Sequence, residues 1–449
     1  MADVSTAIWR NWAGNQRARP RRVAAPRSTE DVAAAVRAAA DAGMSVRMRG
    51  TGHSFTGAAV TDGMLLEPGG MTGVRTVDAA AGRVTVDAGM PLHTLNDLLA
   101  RGGLALTNMG DIAVQTVAGA IQTGTHGTGR DSGAISAQVQ ALELVLADGS
   151  VRTVARDSAS ADDRDLFHAA RVGLGALGVV TAVTFDVEKA FLLRAREQPM
   201  PLDEVLDGFD DLVKDNEHFE FYWFPHTGST STKRNNRVDG PPAPLGRLRA
   251  WLDDEFVAND VFEVTNRVTA RLPRTVPLVN AVATRALGSR TYTDASHRVF
   301  AHPRRVRFVE QEYAIPRGEL VAAMREIRAL IDRRGWRVSF PIEVRVTPPD
   351  DAWLATSYGR DPVGGADNPT TAYIACHMYH RTPNPAYFAA VEDVLTAVGG
   401  RPHWGKLHTR DAAYLASAYP RFADFTALRA RLDPEGRFAN PYLAQVLGG

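Results

Sequence analysis

The chain has 449 residues, 45% hydrophobic and 23% charged, a globular composition with length for two or three domains rather than one core. Lysine plus arginine equals aspartate plus glutamate at 51 each, so no global basic field argues for nucleic acid or an anionic membrane, and a small-molecule partner is expected. The single cysteine, Cys376, excludes an intrachain disulfide and a cysteine-rich metal site; with no signal-type apolar core in Met1–Arg22 and no run near the ~20 apolar residues of a spanning helix, a cytoplasmic protein without metal is the expectation.

Apolar spacing at Val32, Ala35, Val36 and Ala39 predicts a helix over Ser28–Ala42, with Ser28 as N-cap and Gly43 as stop. A strand, Met44–Met48, then feeds Arg49-Gly50-Thr51-Gly52-His53-Ser54-Phe55. The two glycines permit positive φ and close approach to a ligand, and successive amides in such a loop can form a concave anion site beside the His53 imidazole. On this heptapeptide alone, an ordinary turn with a solvated histidine reads as well. A strand follows over Gly82–Ala88, then a helix opened by Pro91 and running through Leu99. A second loop, Gly119–Gly129, concentrates Thr123, Gly124, Thr125 and His126 while carrying apolar Val117, Ala118 and Ile121 at its start, which a flexible surface loop would not.

Strands are expected at 139–146, before an Asp148-Gly149 turn, and at 179–187. Between them, Gly173-Leu-Gly175-Ala-Leu-Gly178 satisfies the GxGxxG pattern of dinucleotide-binding βαβ units. Its context is reversed, helix before and strand after, so the glycines are expected to allow close packing on another backbone or on a cofactor. Beyond Glu188, residues 201–337 mix amphipathic helices, a strand at Phe219–Phe224 and a polar loop from Thr227 to Pro244. A loop is also expected at 359–369. Alternation in the strand Pro341–Thr347 puts Glu343, Arg345 and Thr347 on one face and Ile342, Val344 and Val346 on the other. Such a Glu/Arg face is ordinarily solvated, a lone Lys406 beside glycine is ordinarily on the surface, and His377 and His403 read equally as pocket or core histidines.

Taken together and in this order, the loop at 49–54, Asn108-Met-Gly110-Asp111-Ile with Gly119–Gly129, Arg307–Pro316, Phe340–Arg345 and Arg401-Pro-His-Trp-Gly-Lys406 resemble the aldonolactone oxidase family, vanillyl-alcohol-oxidase-type flavoproteins that include alditol oxidase. The resemblance implies an α+β fold: a two-lobed PCMH-type FAD-binding domain at 1–188, a substrate cap domain at 189–420 with a mainly antiparallel sheet and flanking helices, and a segment at 421–449 returning to the FAD domain. It implies FAD bound by Arg49, Gly50, Thr51, Gly52, His53, Ser54, Gly110, Asp111, Thr116, Gly119, Thr123, Gly124, Thr125, His126, Val180 and Lys406. His53 would be the single covalent link to the flavin 8α-methyl group, since no cysteine lies between 100 and 135.

The resemblance further implies that Glu343 accepts from substrate hydroxyls, that Arg345 is the fixed cation favouring alkoxide character, and that Lys406 stabilises the anionic reduced flavin. The substrate would be a sugar-acid lactone oxidised at C2, or alternatively an alditol. Gly110 would leave oxygen a path to the flavin, and Asp111, where alditol oxidase has serine, argues against linear polyols.

Overall fold

The computed structural model describes residues 8–360 and 370–448. The first seven residues, and 361–369 of the expected loop, lie outside them.

Two sheets make up most of the amino-terminal part. Strands Arg22–Ala24, Met64–Leu66 and Val46–Met48 form a parallel sheet packed by the helix Thr29–Asp41. Ser28 caps that helix by accepting from Asp31 N–H at 3.1 Å, and Gly43 stops it with φ of +59°. A second, antiparallel sheet orders Val151–Ala155, Val139–Val145, Val179–Asp186, Arg83–Asp87 and Val74–Asp78, with the helices Leu92–Arg101, Val117–Gln122 and Ala161–Ala170 nearby. The Asp148-Gly149 turn is present, with φ of +79° at Gly149.

The carboxy-terminal end returns to these sheets: Val46 N–H donates to Arg437 O at 2.7 Å, and the Arg47 guanidinium donates to Phe438 O and Gly175 O, each at 2.9 Å. The reversed GxGxxG segment therefore works as a packing loop. A side chain at Gly175, where φ is +63°, would press on that guanidinium at 3.3 Å.

An eight-stranded antiparallel sheet dominates the remainder, ordered Arg290–Ala295, Leu192–Pro201, Ser229–Val238, His218–Trp223, Ile342–Thr347, Thr371–Tyr379, Phe308–Pro316, Arg401–Pro402. One face is dry: Ile342, Val344 and Val346 join Ile374, Cys376, Tyr313 and Ile315 beneath the helices Leu320–Arg334 and Pro385–Ala397. Strand alternation therefore aims Glu343, Arg345, Glu310, Glu312 and His377 the other way.

One expectation needs correction. The polar segment 227–244 is mainly the ten-residue strand Ser229–Val238, paired on both sides. Thr230, Thr232 and Asn235 are buried there, so alternating β-branched hydroxyl residues outweighed a loop-like composition.

Candidate active site

Two cavities meet at His53, Ser54, Gln115 and Thr123, which line both. The narrower one, about 100 Å³, runs along Gly50–Ser54, Thr116, Gly119, Thr123, Gly175, Gly178 and Val180. Five glycines and four threonines stand among its lining residues, as the glycine loops led one to expect. Thr116 caps the helix Val117–Gln122 by accepting from Gly119 N–H at 3.2 Å, and a Cβ at Gly50 would lie 2.4 Å from the Thr116 hydroxyl.

The wider cavity, about 310 Å³, is the chamber under the large sheet's polar face. Gly110, Asp111, Thr125, His126, Glu343, Arg345, His377, His403 and Lys406 all line it. Main-chain bonds hold its two ends together: Phe55 N–H donates to Gly405 O at 2.7 Å, which stitches the His53 loop to the Lys406 turn.

The Glu/Arg pair is not a solvated face. Glu343 and Arg345 are buried and bonded to each other, and Tyr222 OH donates to Glu343 at 2.7 Å. Arg345 also meets Glu220 at 3.2 Å and Asp111 at 3.5 Å, while Arg304 meets Asp111 at 3.5 Å. Three carboxylates, Glu220 and Glu343 of them buried, thus face two guanidinium groups. Burial raises the Asp111 carboxyl, but Arg345 and Arg304 outweigh that and hold it below its usual range. Burial pushes Glu343 up to about 8; Arg345 opposes this, and Asp111 and Glu220 add to it.

Lys406 is bonded to Glu310, whose carboxylate also lies 3.6 Å from His377. Burial works against the ammonium, but Glu310 and Glu312 more than compensate, so Lys406 stays charged. Burial, reinforced by Lys406, lowers the His53 pKa to about 4, leaving a neutral imidazole at neutral pH; its ring stacks on Trp12 with centroids 5.2 Å apart. His403 is lowered to about 3, chiefly by burial.

His126 pairs with Glu312 at 3.3 Å and stacks on Tyr373 at 3.7 Å. His126, Glu312 and His403 also have metal-ligand spacing, with donor atoms within 4.8 Å; in the structure His126 bonds Glu312, and His403 Nδ1 accepts from Gly405 N–H at 3.0 Å.

Arg49 and Gly124 line neither cavity. The Arg49 guanidinium turns away to Glu67 at 2.7 Å, so its expected place at the cofactor is not where the side chain lies. Sequence reading passed over Glu310 and Glu312, although both stand in the quoted string Arg307–Pro316 and their i, i+2 spacing puts them on one strand face. It also missed Arg304, Tyr222 and Glu220, whose roles depend on cross-strand register and loop packing.

FAD fits these residues. An elongated dinucleotide needs a narrow cradle of backbone donors leading into a wider chamber, and the shared wall carries an orphaned polar atom, the buried Gln115 Oε1, without a hydrogen-bond partner.

Comparison with known proteins agrees with this geometry. Residues 20–155 match an FAD binding domain, and residues 183–446 match D-arabinono-1,4-lactone oxidase. An L-gulono-1,4-lactone dehydrogenase of Mycobacterium tuberculosis is 39% identical, covering 98% of this chain and 99% of that protein. An L-gulonolactone oxidase of Bos taurus is 34% identical over 98% of each, and an alditol oxidase of a Streptomyces species is 31% identical over 99% of this chain and 100% of that protein. Among solved structures, a solvent-stable cholesterol oxidase superposes with a TM-score of 0.79 over 98% of this chain and 97% of that one, at 21% identity, which speaks to fold alone.

Proposed function

This chain belongs to the D-arabinono-1,4-lactone oxidase family, and from that premise we propose that it oxidises an aldono-1,4-lactone such as L-gulono- or D-arabinono-1,4-lactone at the C2 carbinol. The 2-keto lactone formed can tautomerise to an enediol. Bound FAD would accept the C2 hydride and deliver the electrons to oxygen, giving hydrogen peroxide.

The observation that carries the reading is the buried Arg345, pinned by Glu343, Glu220 and Asp111 in a chamber that also receives Lys406. Its guanidinium is a fixed cation for the C2 oxygen, stabilising alkoxide character as hydride leaves; because its partners hold it in place, little reorganisation is needed. Glu343 binds a neighbouring substrate hydroxyl. Lys406, held by Glu310, supplies positive charge on the cofactor side. His53, neutral and at the junction of the cavities, is the nucleophile for a single covalent link.

Gly110 supports oxygen as acceptor. A Cβ there would press on Thr125 and His126 O at 3.2 and 3.3 Å, so a larger residue would have to displace the chamber wall formed by this loop. Asp111, drawn between Arg304 and Arg345, adds a carboxylate to the chamber wall, and on this we favour the lactone over the alditol reading. A cytoplasmic setting is part of the proposal, supported by the free, buried Cys376.

The test is anaerobic titration of the purified yellow protein with L-gulono- and D-arabinono-1,4-lactone. Bleaching of the flavin band is expected. A spectrum that no lactone bleaches rejects the reading, and bleaching by alditols alone replaces it with the polyol one. Peroxide release on readmitting air checks the acceptor.

A further inference from the structure

The chemistry above leaves one large feature unused. Between the strands Ser229–Val238 and Arg290–Ala295 the chain makes a helical excursion: Arg247–Ala250, an eleven-residue π-helix Trp251–Val261, then Phe262–Arg271 and Val276–Ala286.

Much of its burial pattern is the reverse of a water-facing helix. Among the positions turned toward the protein are polar ones, Asn259, Asn266, Thr269 and Asn280. Their side chains bond inward: Asn280 donates to Pro225 O and Val338 O at 2.9 and 3.1 Å, Asn266 accepts from Ser339 at 2.8 Å, and Asn259 accepts from Arg305 N–H at 2.7 Å. Most positions turned outward are apolar or arginine, with Asp260 an exposed exception. Val264, Arg267, Val268 and Arg271 make one i, i+3, i+4, i+7 stripe, and Leu278, Val282 and Arg285 make another. Leu248, Trp251, Phe256 and Val257 extend the surface, and Leu272 stands at the turn between the last two helices.

Eleven of the sixteen exposed large hydrophobic side chains among the described residues fall between Leu248 and Val282, with Leu248 71% and Leu278 66% exposed. In water a helix turns its polar stripe outward, and an apolar surface this concentrated marks a place where something binds.

Charge selects the occupant. From Val264 to Ser289 there are four arginines, Arg267, Arg271, Arg274 and Arg285, and no aspartate or glutamate. The five acids upstream each pair with an arginine, Asp253 with Arg249 at 3.5 Å, Asp254 with Arg290 at 2.7 Å, Glu255 and Asp260 with Arg305, and Glu263 with Arg267 at 2.8 Å, so Arg271, Arg274 and Arg285 stand outside those pairs. A second copy packed by a two-fold axis would set arginine against arginine. An anionic bilayer offers an apolar interior and complementary charge together. No described helix is long and apolar enough to cross a membrane, so the contact is interfacial.

We propose that the outer face of residues 264–286 docks on anionic phospholipid, with Leu272, Leu278 and Val282 immersed and Arg271, Arg274 and Arg285 at the headgroups. This reverses the expectation of no membrane partner, because balanced total charge concealed a local basic, apolar face. The proposal stands independently of the assigned reaction. It also bears on the chamber, since Asn259 donates to Pro303 O at 3.3 Å and Pro303 and Arg304 line the cavity, so the excursion that carries the docked face is tied to one wall of the site.

The experiment is co-sedimentation of the full-length holoprotein with vesicles of phosphatidylcholine plus phosphatidylglycerol, and of phosphatidylcholine alone. Binding to the anionic vesicles, weakened by salt, is expected. The pair Leu278→Glu with Val282→Glu should weaken it more than about tenfold, and Arg271→Glu or Arg274→Glu by about fivefold or more each. Unchanged circular dichroism and unfolding midpoint check the fold of each variant. Failure to bind anionic vesicles, or equal binding by the folded variants, overturns the proposal. So does a wild-type dimer that Leu278→Glu with Val282→Glu converts to monomer, which would give the face to a second copy.

Discussion

The narrow cradle and the wide chamber share His53 yet are made of different materials. The cradle's lining has five glycines, four threonines and apolar residues, with Arg47 as its one formally charged lining residue among those described; the chamber gathers Asp111, Arg304, Glu310, Glu312, Glu343, Arg345 and Lys406. Backbone amides hold an anionic chain such as pyrophosphate without needing to titrate, whereas charge that must respond to a developing alkoxide is best placed on side chains fixed by opposite charges. Disturbing the cradle should therefore change how much cofactor is carried, and disturbing the chamber should change turnover at full cofactor.

The largest effect is expected at Arg345. Arg345→Ala should slow single-turnover flavin reduction by lactone by about 10³-fold, the scale of losing one preorganised electrostatic group, while leaving flavin content at the wild-type value. Loss of flavin together with activity would break the division between the two cavities.

Gly50→Ala is the converse experiment. Its Cβ would fall 2.4 Å from the Thr116 hydroxyl that caps the helix Val117–Gln122, so cap and cradle must shift, at a cost of about 1–3 kcal/mol in FAD retention. The fraction of protein carrying flavin should drop, with turnover per bound flavin preserved. His53→Ala sharpens the boundary between them: the denatured band on a gel should lose flavin fluorescence, while native protein still takes up FAD through the cradle.

The cradle was readable because it depends on glycines and threonines crowded into short stretches of sequence. So was strand alternation, which put Glu343 and Arg345 on one face. Alternation alone did not say whether that face met water; the family resemblance supplied that reading. Burial of Arg345 comes from Tyr222 and Glu220 on a neighbouring strand and from Asp111 on a distant loop, and only the pairing of Phe221 with Val344 and Tyr222 with Glu343 brings them together. The outward-facing apolar stripes at 247–286 were hidden for the same reason: periodicity identifies an amphipathic helix without saying which side meets protein.

A pH profile tests the chamber at finer scale. A carboxyl raised to about 8 keeps its proton below that pH and accepts a hydroxyl hydrogen bond fully only above it. The rate of flavin reduction at low lactone should rise through about pH 8, and Glu343→Gln should remove that limb while leaving a low, flat rate. The stability sign follows from the same shift. Between the ordinary carboxyl value and about 8 the folded state binds a proton that the unfolded chain has lost, so stability falls as pH rises across that window.

The smallest effect is expected at Arg49, although it opens the loop that first pointed to a cofactor. Its guanidinium reaches Glu67 at 2.7 Å on a partly exposed surface, and it lines neither cavity. Such an ion pair contributes about 0–1 kcal/mol, so Arg49→Ala should leave flavin content, gel fluorescence and lactone reduction unchanged, with at most a slight fall in the unfolding midpoint. If Arg49→Ala instead lost flavin as Gly50→Ala is expected to, the cradle would be drawing on a side-chain cation for its anion. The contrast between a backbone-built grip and a side-chain-built reaction chamber would then fail at its simplest point.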